Sequence, residues 1–183
     1  SKEVLGENHI DTAISYNNLA GIYENQGNYQ KAEELYQKSL QVRRKILGDQ
    51  HPDIVTSYNN LAYIYQKQGK YNKAKQLVQK SLQISKEVLG EEHPDTATSY
   101  NNLAYVYQRQ GKYNKAEELY EKSLKIRKEV LGETHPDTAI TYNNLAYVYQ
   151  KQGKYNKAEE LYEKSLKIRK EVLGETHPDT AIT

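Results

Sequence analysis

Rows of chemically capable side chains recur along the 183-residue chain at a spacing of 42. His9, His51, His93, His135 and His177 are candidate metal ligands or general bases. Ser39, Ser81, Ser123 and Ser165 are candidate nucleophiles. Paired asparagines at 17–18, 59–60, 101–102 and 143–144 offer carboxamides, each a donor pair and an acceptor. The metal reading fails on spacing. Histidines one repeat apart lie on the order of 10 Å or more from one another once their helices pack, and shared coordination needs roughly 2 Å. Four of them open a His-Pro-Asp phrase, at 51, 93, 135 and 177, which suits a helix start and hence a capping or packing role. The serines fall on an apolar stripe and read as small packing residues. Every glycine is isolated, so no phosphate-cradling loop is present. Nothing distinguishes one repeat chemically, whereas an active site needs a unique constellation. No catalysis, metal or cofactor is expected.

Composition narrows the classes further. Cysteine is absent, which removes disulfides, thiolate metal sites and cysteine nucleophiles. Lys plus Arg is 26 and Asp plus Glu is 24; the net charge of +2 is too small to draw a nucleic-acid or membrane partner by field strength. No apolar run approaches the roughly 20 residues of a membrane-spanning helix. No signal peptide opens the sequence, so a cytoplasmic location is expected. Apolar residues make up only 37%, a value that would suggest disorder in an ordinary globular domain. A stack of repeats removes the difficulty, because it needs thin apolar seams rather than one large core.

The elements that must position these rows follow from the period. Leu-Gly recurs at 5–6, 47–48, 89–90, 131–132 and 173–174. Four full repeats fit, at 7–48, 49–90, 91–132 and 133–174, with partial repeats at 1–6 and 175–183, so a single array over 1–183 is expected. Within the third repeat, His93-Pro94-Asp95 opens a helix A that runs to Gln110 and is stopped by Gly111. A longer helix B runs from about Tyr113 to Leu131 and is stopped by Gly132. No stretch alternates with period two, so no strands are expected. At 100° per residue, helix A places Tyr100, Leu103, Ala104 and Tyr107 on a packing face, flanked by Ala97 and Val106. The opposite arc carries Thr98, Asn101, Asn102, Tyr105, Gln108 and Arg109. Helix B has a stripe of Tyr113, Ala116, Leu119, Tyr120, Ser123, Leu124, Val130 and Leu131. The rest of it is charged, with pairs such as Glu118–Lys122 and Glu121–Lys125, and reads as a solvated face.

Tyr100-x-x-Leu103-Ala104-x-x-Tyr107, followed by Gly111-x-Tyr113-x-x-Ala116-x-x-x-Tyr120, resembles the tetratricopeptide (TPR) signature, with Tyr where Trp is usual. The family repeat is about 34 residues; the additional residues here follow Tyr120 and lengthen helix B. The phrases Tyr-Asn-Asn-Leu-Ala, Gln-Gly-Lys-Tyr and Leu-Gly-x-x-His-Pro are similar to the 42-residue TPRs of kinesin light chains and related bacterial arrays. Departures are concentrated early: Ile10 replaces the connector proline, Gly21 stands where Tyr105 does, and Val78 where Tyr120 does.

The resemblance implies an all-α, right-handed superhelical solenoid of four antiparallel helix pairs, with the A helices on the concave side. That side is the family's usual ligand groove. The resemblance therefore assigns to the groove Asn18, Asn59, Asn60, Tyr63, Lys67, Asn101, Asn102, Tyr105, Arg109, Asn143, Asn144, Tyr147 and Lys151. Asn18, Asn60, Asn102 and Asn144 match the position that often contacts a bound peptide. Lys67, Arg109 and Lys151 make the groove mildly basic, with Glu24 the one acid in its rows, so the expected partner is an acidic protein segment or peptide. Two alternatives stand beside this. The asparagines can instead satisfy one another's repeats and set register, and the tyrosines can stack on their neighbours. The array as a whole can be purely structural or self-assembling, with weak head-to-tail contact through its end faces. RNA reading in the manner of pentatricopeptide repeats is disfavoured, because the reader positions barely vary and the charge is small.

Overall fold

The computed structural model describes residues 9–173, and the described residues form eight α-helices and no strand. The division between compact units falls after Gly90, on a repeat boundary. The first unit holds α1 (Ile10–Asn25), α2 (Tyr29–Leu47), α3 (Pro52–Lys67) and α4 (Tyr71–Val88). The second holds α5 (Pro94–Arg109), α6 (Tyr113–Val130), α7 (Pro136–Lys151) and α8 (Tyr155–Leu173). Within each unit every helix packs on the next in chain order, so two A–B hairpins lie side by side.

The helix boundaries have local causes. At four A-helix starts the histidine is the N-cap. Its Nδ1 accepts the N–H of the aspartate two residues on, at 3.2 Å for His9 and His51 and 3.1 Å for His93 and His135. This satisfies one of the donors that every helix start leaves open. His177 lies outside the described residues. Gly111, with φ +72°, turns helix A into helix B, and Gly132, with φ +94°, ends helix B; both lie where a Cβ is disfavoured.

The serine row pins each B helix to its own A helix. Ser39, Ser123 and Ser165 are buried and donate to Ala13, Ala97 and Ala139 carbonyls at 2.7–2.8 Å. Ser81 donates instead to Asn59 Oδ1 at 2.9 Å, with the Val55 carbonyl at 3.4 Å. In the second unit the core gathers Ala104, Ala116, Tyr120, Leu145, Val148, Tyr149 and Ala158. Buried alanines bring the backbones close and the tyrosine rings fill the remaining volume.

The apolar stripe of helix B differs from its sequence reading at one end. Val130 closes α6 and is 50% exposed, as Ile46, Val88 and Val172 are largely exposed at the same position. Burial follows the stripe only as far as Ile126 and Arg127. The charged face is exposed at Glu118, Glu121, Lys122 and Lys125, as the sequence suggests, and it also makes contacts beyond its own helix. Glu121 accepts the Tyr149 hydroxyl of the following repeat at 3.0 Å, and the Lys122 ammonium lies 5.6 Å from the Tyr100 ring centre.

Candidate peptide-binding face

The asparagine rows run laterally from one A helix to the next. In the first unit Asn60 Nδ2 donates to Asn17 Oδ1 at 3.1 Å. In the second, Asn144 Nδ2 donates to Asn101 Oδ1 at 3.3 Å. The second asparagine of one repeat thus bonds to the first asparagine of the repeat before it. Asn101 is buried, Asn59, Asn60, Asn102, Asn143 and Asn144 are half-buried, and Asn18 is exposed. Each rung still leaves hydrogen-bonding capacity: the Nδ2 of Asn17 and Asn101 and the Oδ1 of Asn60 and Asn144 have no partner among the described residues. A row that joins two repeats therefore still offers donors and acceptors at the same edge.

Of the tyrosines beside this row, Tyr105 is backed by the core. Tyr105 packs on the cluster that contains the buried Tyr120, whose hydroxyl donates to Gln108 Oε1 at 2.9 Å. Burial pushes the Tyr120 phenol well up, and neighbouring Tyr105 adds to the effect. Tyr162 repeats the arrangement with Gln150 at 3.4 Å, and Tyr36 does so with Glu24 at 2.9 Å. The single acid of the groove rows is therefore already engaged by a phenol. Tyr63 is exposed and Tyr147 half-buried. Over these rings lie the cations one helical turn on: Lys67 Nζ is 5.0 Å from the Tyr63 centre and Lys151 Nζ 5.1 Å from that of Tyr147. Lys67, Arg109 and Lys151 are exposed. The structure thus groups asparagine, tyrosine and cation within each A helix from α3 to α7; α1 carries Gly21 and Asn25 in place of the tyrosine and the cation.

Sequence reasoning missed the polar contacts that join consecutive repeats near the A-to-B turns. Gln152 Nε2 donates to Asn114 Oδ1 and Glu117 Oε2, and Lys154 Nζ meets Glu117 Oε1 at 2.9 Å. In the first unit Lys70 Nζ meets Glu33 Oε2 at 3.1 Å and Gln37 donates to the Tyr65 hydroxyl. Burial alone would raise the Glu117 carboxyl, but the hydrogen bonds from Lys154 and Gln152 and the Lys154 charge hold it below its ordinary value. The invariant Gln-Gly turn at 26–27, 68–69, 110–111 and 152–153 was the available signal. Among the described residues no three His, Asp or Glu side chains group as a metal site, and no helix is long and apolar enough to cross a membrane.

A tetratricopeptide repeat model matches successive windows that together span residues 1–183. No curated protein matches the chain. Among solved structures, the chain is similar to BtubC from P. vanneervenii, with TM-score 0.77 and 29% identity over 91% of this chain and 66% of that one. It is also similar to a kinesin light chain-type protein of nearly identical TPR-like repeats from Podosopora anserina, with TM-score 0.77 and 31% identity over 94% of this chain and 82% of that one. The apo form of RapI shares the fold at TM-score 0.78 and 24% identity, covering 92% of this chain and 59% of that one. The chain therefore spans just under two thirds of the length of BtubC and less of RapI. The motif windows, the helix pairs and these structural likenesses agree that the chain belongs to the tetratricopeptide repeat family.

Proposed function

We propose that this chain is a non-enzymatic protein-interaction scaffold whose A-helix face holds an extended acidic peptide. TPR repeats generally bind protein partners, which gives the class. The observation that carries the finer reading is the unspent half of each asparagine rung beside the Lys-on-Tyr pairs. Free carboxamide donors and acceptors suit a peptide backbone, and exposed ammonium groups suit carboxylates along it. A location in the cytoplasm accords with this role.

The test is titration of a fluorescent Glu-rich peptide. Binding is expected to weaken as salt rises, because exposed charges are screened beyond about 8–10 Å at ordinary ionic strength. Lys67→Gln with Lys151→Gln leaves the asparagine rungs intact and should lower affinity about tenfold. Asn60→Ala, Asn102→Ala and Asn144→Ala together should lower it further while helicity is retained. Unfolding of that triple variant, with no effect of the lysine pair, would assign the asparagines to register alone.

A second reading, self-association, has its own observation. Leu19 and Ile22 on α1 are 42% and 53% exposed, whereas their counterparts in α3, Leu61 and Ile64, are 3% and 0%. On α8, Tyr155, Ala158, Tyr162 and Leu166 line an open pocket of about 410 Å³. The two faces have the chemistry of an internal repeat contact, and the proposal is that a second copy can occupy them.

A further inference from the structure

Another cavity, of about 550 Å³, lies at the A-to-B turn edge of the second unit. Gly111, Lys112, Tyr113 and Lys115 form one side of it, and Lys151 and Lys154 the other. Four ammonium groups thus border one concavity. One of the four is neutralised: Lys154 holds both oxygens of Glu117, at 2.9 and 3.0 Å. The other three rest on tyrosine rings and meet no carboxylate among the described residues. Lys112 and Lys115 lie 6.0 and 5.7 Å from the centre of Tyr107, and Lys151 lies on Tyr147. A contact of that kind is worth about 0.5–1 kcal/mol at an exposed site, so it is readily exchanged for an anion.

The corresponding edge of the first unit carries one lysine fewer. Asn28 and Gln30 stand where Lys112 and Asn114 do, and Asn28 Oδ1 caps α2 by accepting the Lys31 N–H at 3.2 Å. Lys112 makes no such cap on α6. The other three lysines have counterparts there, Lys31, Lys67 and Lys70, so Lys112 is the one charge that the second unit adds at this edge. The lysines carry the inference, and the uncapped helix start adds to the same positive field.

The lining also selects among anions. It contains no arginine, so the planar fork that matches a carboxylate side by side is missing. Ammonium groups act as point charges, and several can converge on a tetrahedral group with three terminal oxygens and a charge of about −2. We infer that this pocket binds a phosphoryl group, either on a free small phosphate or on a phosphorylated side chain of a peptide. The site lies apart from the asparagine row and shares only Lys151 with the proposed peptide face.

The experiment is isothermal titration of the full chain with pyrophosphate, a phosphoserine peptide and the same peptide unphosphorylated. Pyrophosphate and the phosphopeptide are expected to bind saturably, and the unphosphorylated peptide much more weakly. Whichever of the two phosphates binds tighter identifies the source. Lys112→Gln with Lys115→Gln should weaken phosphate binding about tenfold. Lys31→Gln with Lys38→Gln removes the same charge from α2 and should leave it unchanged. Circular dichroism of each variant keeps folding out of the comparison. The inference is overturned by absence of saturable binding at about 1 mM pyrophosphate, by equal losses in the two lysine pairs, or by equal affinity for the unphosphorylated peptide. Failure here leaves the acidic-peptide face standing, since the asparagine variants read that face separately.

Discussion

Arg127 is the residue whose chemistry departs furthest from its place in the sequence. It is 5% exposed, and no carboxylate is paired with it among the described residues. Its Nη1 donates to the Asp137 carbonyl and Thr141 Oγ1, both at 2.7 Å, and Nη2 to Thr98 Oγ1 at 3.2 Å. Burial lowers its proton affinity, and nearby Asp137 opposes the effect. Arg43 makes the same contacts in the first unit, to the Asp53 carbonyl and Ser57, while Ser85 occupies the position in α4 and bonds back to Leu82. Arg127→Ala should cost about 2–4 kcal/mol, from lost charge-assisted hydrogen bonds and the void left behind. Arg127→Met keeps most of the packing and should recover about half of that; urea midpoints of the two variants decide it. Glu117 and Glu33 supply a pH dependence. Both carboxyls are held below their ordinary value in the folded chain, against the opposing effect of burial. Their contribution is present above the unfolded pKa of about 4.3 and is lost as pH falls through the lower folded value. Glu117→Gln should flatten the acid side of the stability profile, and an unchanged profile would remove Glu117 from it. The histidine and serine rows were legible because their types and positions allow few roles. Arg127 was not: a charged residue on a charged helix reads as solvated, and only its recurrence at 43, 127 and 169 marks it.

Helix boundaries were the most legible elements, because each has a residue that cannot serve elsewhere. Proline opens three of the four A helices and glycine with positive φ closes the hairpins. The face assignments held where the period alone decides burial, as for Tyr100, Leu103 and Ala104. They were incomplete where a polar side chain joins one repeat to the next, as for Glu121 and Gln152, since helical periodicity says nothing of the neighbouring hairpin. The two kinds of glycine give opposite predictions. Gly21 lies inside α1, and a Cβ there would meet only the Tyr36 hydroxyl, at 3.8 Å. Gly21→Ala should therefore stabilise the chain by about 0.5–1 kcal/mol, the ordinary cost of glycine inside a helix. Gly111→Ala meets no atom within 4 Å, yet it places a side chain at φ +72°. It should destabilise by about 1–2 kcal/mol. Thermal and urea unfolding of both variants test the pair. A loss in Gly21→Ala would show that α1 needs the missing side chain for a contact of its own.

At the scale of the molecule, the proposed self-association would reuse the repeat contact that builds each unit. Inside the second unit, α7 sits on α6 with Leu145 and Val148 buried, Tyr149 bonded to Glu121, and Gln152 and Lys154 bonded to Glu117. On α8 the positions of Glu117 and Glu121 are Glu159 and Glu163, beside the open pocket of Tyr155, Tyr162 and Leu166. The α1 of a second copy offers Leu19 and Ile22 to that pocket, Tyr23 to Glu163 and Gln26 to Glu159. It offers Asn28 where α7 is followed by Lys154, so one ion pair of the internal contact has no counterpart. The match is close in apolar side chains and poorer in charge, so the proposed association is expected to be weak. Because α1 and α8 are different surfaces, the contact is heterologous and adds copies in a row unless the rotation closes. Sedimentation velocity should then show a weight-average coefficient that rises steadily with concentration rather than levelling at a dimer. Ile22→Lys should abolish the rise, because it places a charge in the apolar centre of the contact while changing a side chain that is exposed in the single copy. Asn28→Lys should strengthen it by restoring the missing partner for Glu159. A coefficient independent of concentration, or one unaffected by Ile22→Lys, would separate the exposed faces of α1 and α8 from any role in self-association.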